Sequence, residues 1–524
     1  MSEAATSSSV HHDKTREQLL DSVTRLDREL KSAKHELAWF KRQLFGEKSE
    51  KRFFDNPNQL GFDHGILGEV PEPEVEPKQT ITYQRGKGPK RRPEDCVTDE
   101  GLRFDPSVPI KTIRLLPAEI EGLSEDDYEI IGVKNTYRLA QRPASTVVLH
   151  YERPVVKLRQ KGLVCQAPAP LAVVERSVAD VSFMAGMLVD KFAYHLPLFR
   201  QHQRLEHNGI TLARSTLTNL AKRAIELLRP IVAAQLDSVL ESSVLAMDET
   251  PVKAGPSKKR PGKMQQGYFW PMYGDRDEVV FAFASSRGKQ VIEQLLGVQF
   301  SGTLIADGYA AYAAWVEGAD RVSLAQCWVH TRRQFVKAHE GEVQACDQAL
   351  EVIGRLYKVE AEIRKEALEG EPKRTYRLEH AKPIVDELYA WHRWQGTRQD
   401  LVPSDPFAKA LKYLGDREQQ LRIFLADPDV PLDTNHVERG LRCIPMGKKN
   451  WIFCWTELGA EHVGIIQSLV TTCRLHDVNP YTYLVDVLQR VALHPASRVA
   501  ELTPRLWKEL FVDNPLRSDL YDSG

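Results

Sequence analysis

The sequence has no C-x-x-C pair, no apolar run long enough to cross a bilayer, and almost no net charge. Its seven cysteines, at 96, 165, 327, 346, 443, 454 and 473, are scattered and odd in number. That pattern argues against a disulfide framework and fits a reducing cytoplasm. A membrane-spanning helix needs about 18 or more consecutive apolar residues. The start, MSEAATSSSVHH, also lacks the charged-then-apolar order of a secretory leader. Neither membrane insertion nor secretion is expected. The formal charge of -1 conceals segregation, because LGEVPEPEVEP (67–77) carries only acids and RGKGPKRR (85–92) only bases. A balanced total therefore does not exclude an anionic partner.

What is present is length and pattern. A chain of 524 residues exceeds one hydrophobic core and predicts roughly three domains. Leu19, Val23, Leu26, Leu30, Ala33, Leu37, Phe40 and Leu44 recur at alternating steps of four and three, a heptad seam. It reads as a coiled coil, or else as one amphipathic helix lying on a globular domain. Residues 67–95 are too rich in proline and charge to fold alone and read as a linker. Arg85, Lys90, Arg91 and Arg92 within it can form a basic arm for a DNA minor groove, or a solvated charge run. Short β-prone runs such as IKTIRLL, YEIIGV and TVVLHY then predict a small β-rich module.

Between 191 and 230, a helix from Leu198 to about His207 stops at Asn208-Gly209, and Ser215 can cap a second helix with Leu217, Leu220, Ala224 and Leu227/Leu228 inward. Pro230 is expected to close the unit. Helix, glycine turn, helix is a helix-turn-helix pattern, leaving Arg214, Thr216, Thr218, Asn219 and Lys222 to meet DNA; many helical hairpins of this kind bind nothing.

From 240 the order of elements carries the argument. SSVLAMDET reads as a buried strand ending at Asp248; GYFWPMYG (267–274) and VVFAFASSR (279–287) read as strands around Asp275-Arg276-Asp277. A helix (Lys289 to Leu296), a strand ending at Asp307 and the strand-then-helix VSLAQCWVHTRRQF (322–335) follow. That order fits a ribonuclease-H-like sheet with carboxylates at adjacent strand ends. Two such aspartates can share a divalent cation, since hard oxygen ligands suit Mg²⁺. A lone Asp closing a strand is more often a turn residue, and Asp307-Gly308 looks like ordinary turn chemistry. Glu438 is the candidate third carboxylate. Asn435, three residues earlier, also marks it as part of a helix cap. Arg439, Arg442, Lys448 and Lys449 can meet phosphates, and Trp451 can stack on an unpaired base; the alternatives are a solvated face and core packing.

The motifs LFGEKSEK, APAP (167–170), KFAYHLPLFRQ (191–201), GITLARSTL, MDETPVK, ADGYAAY, CWVHTRRQF, DTNHVERGLR, GKKNWIF and NPYTYLVDVL run in order from about Leu37 to Leu488. In them the chain resembles the transposases of the insertion-sequence-66 family, the large TnpC-type protein. The resemblance implies a DDE-type recombinase, with Asp248, Asp307 and Glu438 as catalytic metal ligands and Mg²⁺ or Mn²⁺, as two ions, for DNA cleavage and strand transfer. It makes His330, in a Cys-x-x-His feature with Cys327, a residue that meets the scissile strand. Relatives carry cysteine pairs before the helix-turn-helix; here only Cys96 stands near the first pair and LRQK (158–161) replaces the second, so no structural zinc is expected. Thr434 stands where the family has Asn.

The expected architecture is a multidomain α+β chain. It comprises an N-terminal coiled coil with a basic end (1–60), a charged linker (61–95), the β-rich module (96–175) and the helix-turn-helix region (176–240). A ribonuclease-H-like catalytic domain (241–460) with a helical insertion (about 337–430) and a helical tail (461–524) follow. The expected function is a bacterial, cytoplasmic, nucleoid-associated transposase that binds the terminal inverted repeats of its element and target DNA. It would pair through the coiled coil and work with small companion proteins of the element. The alternatives are a catalytically inactive DNA-binding, end-bridging repressor and a nuclease of the same fold without joining activity.

Overall fold

The computed structural model describes residues 96–97 and 102–521, apart from 107, 143–144, 171, 175–176, 258–261, 298, 436–438, 441, 452–453 and 455. The heptad helix, the linker with Arg85, Lys90, Arg91 and Arg92, and Glu438 lie outside the described residues.

The first strands, β1 (Cys96–Val97) and β2 (Arg103–Phe104), form a small antiparallel sheet completed from further along the chain. A second sheet combines β3 (Ile110–Arg114), β4 (Tyr128–Arg142), β5 (Ser145–Leu158) and β6 (Val164–Gln166). Its spine is the long β4/β5 hairpin, with an irregularity at Ile130/Gly132. Cys165 is buried in β6.

Helix α1 (Val181–Phe192) is buried along most of its length and starts at Asp180, whose carboxylate accepts from Ser182 N at 2.8 Å. Helix α2 (Leu198–His207) ends at Asn208, Gly209 takes φ +78°, and β7 (Ile210–Thr211) pairs with β2 before α3 (Arg214–Leu240) begins. Two expectations are corrected here. Ser215 does not cap α3: pairing of β7 carries the chain into the helix sooner, and Ala213 precedes it without any side-chain cap. Pro230 does not close the unit. It sits exposed inside α3, while Ile231, Val232, Gln235, Val239 and Leu240 continue the buried face beyond it. Packing of that face outweighs the lost hydrogen bond.

The central sheet contains β8 (Val244–Met247), β9 (Thr250–Pro256), β10 (Met264–Tyr273) and β11 (Val279–Ala284). After α4 (Lys289–Leu296) come β12 (Gly302–Ala306), α5 (Ala310–Val316) and β13 (Val322–Gln326). The strand order is β11-β10-β8-β12-β13, with β9 on β10. β8, β12 and β13 run parallel, β10 and β11 antiparallel. The four residues of β8 are all buried, as are the last four of β12, which is why they read as unbroken apolar runs.

Six helices follow: α6 (Trp328–Ala338), α7 (Val343–Lys365), α8 (Gly370–Tyr376), α9 (Lys382–Gln395), α10 (Pro406–Gly415) and α11 (Glu418–Ala426). A π-turn, Arg377–Ala381, joins α8 to α9. Its fully buried Arg377 grips Glu360 of α7 through two nitrogens (2.8 and 3.0 Å) and donates to the carbonyls of Phe424 (2.8 Å) and Val430 (3.0 Å). The segment returning to Asp433 is thereby fixed against α7.

The chain closes with α12 (Cys443–Trp451), α13 (Glu457–Leu475), α14 (Pro480–Arg490) and α15 (Pro504–Leu510). Helix α13 covers the exposed edge of β11. Phe281 N donates to Ser468 Oγ (2.9 Å) and Val279 N to Thr472 Oγ1 (3.2 Å), so the edge has no unpaired ladder at those points. At Gly464 a Cβ would stand 2.2 Å from the Phe281 carbonyl, so only glycine admits this approach.

Candidate active site

Parallel pairing of β8 and β12 aligns Ala246 with Ile305. Two residues beyond that pair on each strand stand Asp248 and Asp307, both half-buried. Asp248 Oδ1 accepts from Glu249 N (2.7 Å), and Asp307 Oδ1 accepts from Tyr309 N (2.9 Å). These local bonds turn the chain at the strand ends and fix both carboxylates. The Asp307-Gly308 turn is not governed by a left-handed glycine: Gly308 is absent from the positive-φ residues. It is there because a Cβ would stand 2.6 Å from the Tyr413 ring and hydroxyl, and Arg417 donates to its carbonyl at 3.1 Å.

Glu249 is the third carboxylate that the structure brings to this place. Asp248, Glu249 and Asp307 each offer an oxygen within 4.8 Å of the others, the one such acidic group among the described residues. The Glu249 side chain is almost fully buried. Its Oε1 is gripped by Arg287, with Nε at 2.7 Å, and its Oε2 accepts from Tyr312 Oη at 2.8 Å. Burial, and then the nearby Asp307 charge, push the Glu249 carboxyl up, while Tyr312 and Arg287 oppose the rise. Arg287 also lies over the Tyr309 ring at 4.1 Å, and Tyr309 Oη donates to the Arg287 carbonyl (2.7 Å). Both Glu249 oxygens thus already hold donors.

These residues line a cleft of about 540 Å³ with His330, Arg333, Gln334, Lys337 and Tyr413. An all-oxygen set at two strand ends, with cations on the facing helix, fits Mg²⁺ or Mn²⁺ bound beside a phosphate. A larger cleft, about 650 Å³, lies at the other end of β8 beside Ser243.

Cys327 and His330 serve different neighbours. His330 faces the cleft. Cys327 is buried and its Sγ accepts from Thr434 N (3.3 Å) and Thr434 Oγ1 (3.2 Å). Its own N–H donates to the carbonyl of Ala306, next to Asp307, and Trp328 N donates to the Leu432 carbonyl. Burial raises the thiol's pKa, so the sulfur stays a neutral acceptor. One residue thus ties the Asp307 strand end to the loop leading towards Glu438. In that loop Asp433 accepts from both Asn435 N (2.9 Å) and Asn435 Nδ2 (2.7 Å), and helical backbone begins at Asn435 itself. The reciprocal cap between Asn435 and Glu438 lies outside the described residues.

The DNA-facing candidates fall elsewhere. Arg214, Thr218, Asn219 and Lys222 are exposed on α3, and Thr216 is half-buried. Arg214 packs over the Phe199 ring at 4.7 Å, and Thr218 Oγ1 donates to the Arg214 carbonyl (3.2 Å). Arg439, Arg442 and Lys449 are exposed. Lys448 Nζ donates to the Pro251 carbonyl (2.7 Å), which holds α12 against β9. Trp451 ends α12, with its side chain outside the described residues. The sequence reading missed Glu249, Arg287, Arg333 and Lys337. The spacing of His330, Arg333 and Lys337, three and then four residues apart, was a legible signal for the last two.

A strand-end carboxylate cluster on a mixed sheet is a set that could hold a metal ion, and comparison with known proteins gives the family. The model of "Transposase IS66 family" matches residues 176–462, more than half of the chain; "IS66 C-terminal element" matches 468–505, and "Transposase C of IS166 homeodomain" matches 32–96. The chain belongs to the IS66 transposase family. It is similar to three uncharacterised proteins of Sinorhizobium fredii. To y4hP it is 30% identical over 72% of this chain and 71% of that protein. To y4jD it is 28% identical over 94% and 98%, and to y4qI 28% over 74% and 73%.

Proposed function

We propose that the protein cleaves the ends of its own insertion sequence and joins them to target DNA, through Asp248, Asp307 and Glu438 in a ribonuclease-H-like catalytic domain. The observation that carries this is the placement of Asp248 and Asp307 side by side at parallel strand ends, in a cleft with His330 and the cationic Arg287, Arg333 and Lys337. The strand order, with the first strand central, the hairpin on one side and two parallel strands on the other, supports the fold assignment. The Cys327–Thr434 contact supports Glu438 as the third ligand, because it holds Thr434, four residues earlier in the chain, near the Asp307 strand end.

In the first reaction a water oxygen bonds to phosphorus and the P–O3′ bond breaks, leaving a free 3′-hydroxyl. That hydroxyl then attacks a target phosphodiester, forming one P–O bond and breaking another. Divalent cations, when bound, activate the attacking oxygen and neutralise charge on the departing one. Asp248 and Asp307 bind them; His330 orients the scissile strand; Glu249, clamped by Arg287 and Tyr312, holds the turn that aims Asp248. The α3 residues Arg214, Thr216, Thr218, Asn219 and Lys222 and the basic arm recognise the ends, Arg439, Arg442 and Lys449 contact phosphates, and the heptad helix pairs protomers.

The test is purified protein with Mg²⁺ or Mn²⁺, end-labelled element DNA and a target plasmid. Metal-dependent nicking followed by joined product is expected, absent in Asp248→Ala. No product on authentic ends sinks the proposal, and cleavage without joining makes the protein a nuclease of the same fold.

A further inference from the structure

Beside α3 lies a cavity of about 360 Å³ that shares no lining residue with the carboxylate cleft. Four helices wall it: the end of α1, the starts of α2 and α13, and the N-terminal half of α3. Leu198, Ile225, Leu458 and Val463 make its walls apolar. Lys191, Thr218, Lys222 and His462 supply polar groups, and no carboxylate is among the described residues that line it. His462 is already bonded through Nε2 to Glu226. Lys222 is exposed, and Lys191 is half-buried with Nζ over the Phe192 ring at 4.8 Å. That ring contact engages the charge of the ammonium and leaves its N–H groups able to donate. Burial lowers the Lys191 pKa; the opposing group is the Cys454 thiol, itself pushed up to about 11 and so neutral at pH 7. Arg214, Thr218 and Lys222 are all exposed and follow at steps of four, so one stripe of α3 leads from the start of the helix to the cavity.

An occupant matched to this cavity has an apolar body and a negative charge beside it. A nucleobase with its flanking phosphates has both, and the volume lies in the range of small-ligand pockets, roughly 300 Å³ and upward. We infer that the cavity receives one base of the bound element end, turned out of the duplex, with Lys222 and Lys191 on the phosphates next to it. This rests on the reading of α3 as the end-binding helix and adds where one base goes and which cations hold its backbone. Unpairing the base is costly; apolar burial and charge-assisted bonds to phosphate offset that cost.

The experiment places 2-aminopurine singly at each position of a duplex of the element's own end. Fluorescence is read on binding of the full-length protein without divalent metal, so that no strand is cut. Leu458→Trp, which fills the mouth of the cavity, Lys222→Ala and Lys222→Arg are compared, with circular dichroism as the fold control. With wild type, one position should brighten severalfold while its neighbours stay dark. Leu458→Trp should return that position to the level of free duplex. Lys222→Ala should weaken end binding roughly tenfold, the scale of one charge-assisted hydrogen bond, and dim the same position; Lys222→Arg should restore both. DNA bound with no bright position would overturn the inference and leave the end-binding reading intact. So would a bright position indifferent to Leu458→Trp and Lys222→Ala, which puts the base elsewhere. An altered oligomeric state of Leu458→Trp in sedimentation, with the bright position unchanged, would overturn it in favour of a second copy of the chain in the cavity. Failure of wild type to bind its ends at all would overturn both readings.

Discussion

Arg377→Met is the most informative perturbation of the fold that supports the site. Arg377 is fully buried, its partner Glu360 nearly so, and one terminal nitrogen also faces the carbonyls of Phe424, Asp427, Pro428 and Val430 at 2.8 to 3.3 Å. Methionine fills much of the volume but strands a buried carboxylate. Breaking a buried pair in this way costs about 3–5 kcal/mol, a large part of the roughly 5–15 kcal/mol that holds a typical domain folded. Because the same nitrogen anchors the chain just before Asp433, DNA cleavage should fall further than the folded fraction does. Urea unfolding followed by circular dichroism measures the first effect, and cleavage per folded molecule the second. Arg377→Met with Glu360→Leu should recover part of the loss, since the carboxylate is gone but the carbonyls still lack a donor. A loss below about 1 kcal/mol for the single variant would refute the reasoning, because a buried charge left alone cannot be that cheap.

Three further outcomes are expected. Gly308→Ala pushes a methyl group onto Tyr413; it should cost about 1–3 kcal/mol and lower cleavage, read by thermal melting and by the same end-cleavage assay. Cys327→Ala removes the acceptor of two buried Thr434 donors; about 1–3 kcal/mol should be lost, the Mn²⁺ concentration for half-maximal cleavage should rise, and Cys327→Ser should partly restore it. Glu226, held by Arg229 and then His462, has its pKa lowered from 4.5 to about 2. Because the folded value is the depressed one, the pair stabilises above pH about 4.5 and that stabilisation is lost as pH falls towards about 2. Glu226→Gln should therefore be less stable than wild type at neutral pH, by about 1 kcal/mol or less given the solvent screening of a one-third exposed side chain, and the gap should close in acid unfolding curves.

Much of the centre of the fold was legible because its signals are local. Unbroken apolar runs ended by Asp248 and Asp307 mark parallel strands buried on both faces, and Lys289–Leu296 is a helix by periodicity alone. Strand β9 was missed because TPVKAGP carries two prolines and a glycine, which argue against a strand until β10 is seen beside it. Pro230 misled for the same reason: it is a strong local breaker, and only the buried residues after it show that packing carries α3 through. Glu249 was hidden differently. Its role depends on Arg287 and Tyr312, which are 38 and 63 residues away, and no spacing rule connects them. Thr434 bonding the sulfur of Cys327, 107 residues earlier, is likewise a product of topology.

The central claim is that Asp248, Asp307 and Glu438 together hold the catalytic metal. Manganese binding to the full-length protein, followed by electron paramagnetic resonance, tests it without relying on DNA turnover. The account predicts that Asp248→Asn, Asp307→Asn and Glu438→Gln each weaken Mn²⁺ binding by at least roughly tenfold, since each removes a charged ligand, while Glu249→Gln weakens it less. Wild-type affinity in Glu438→Gln, with normal cleavage, would contradict the account and leave Glu438 as a helix cap.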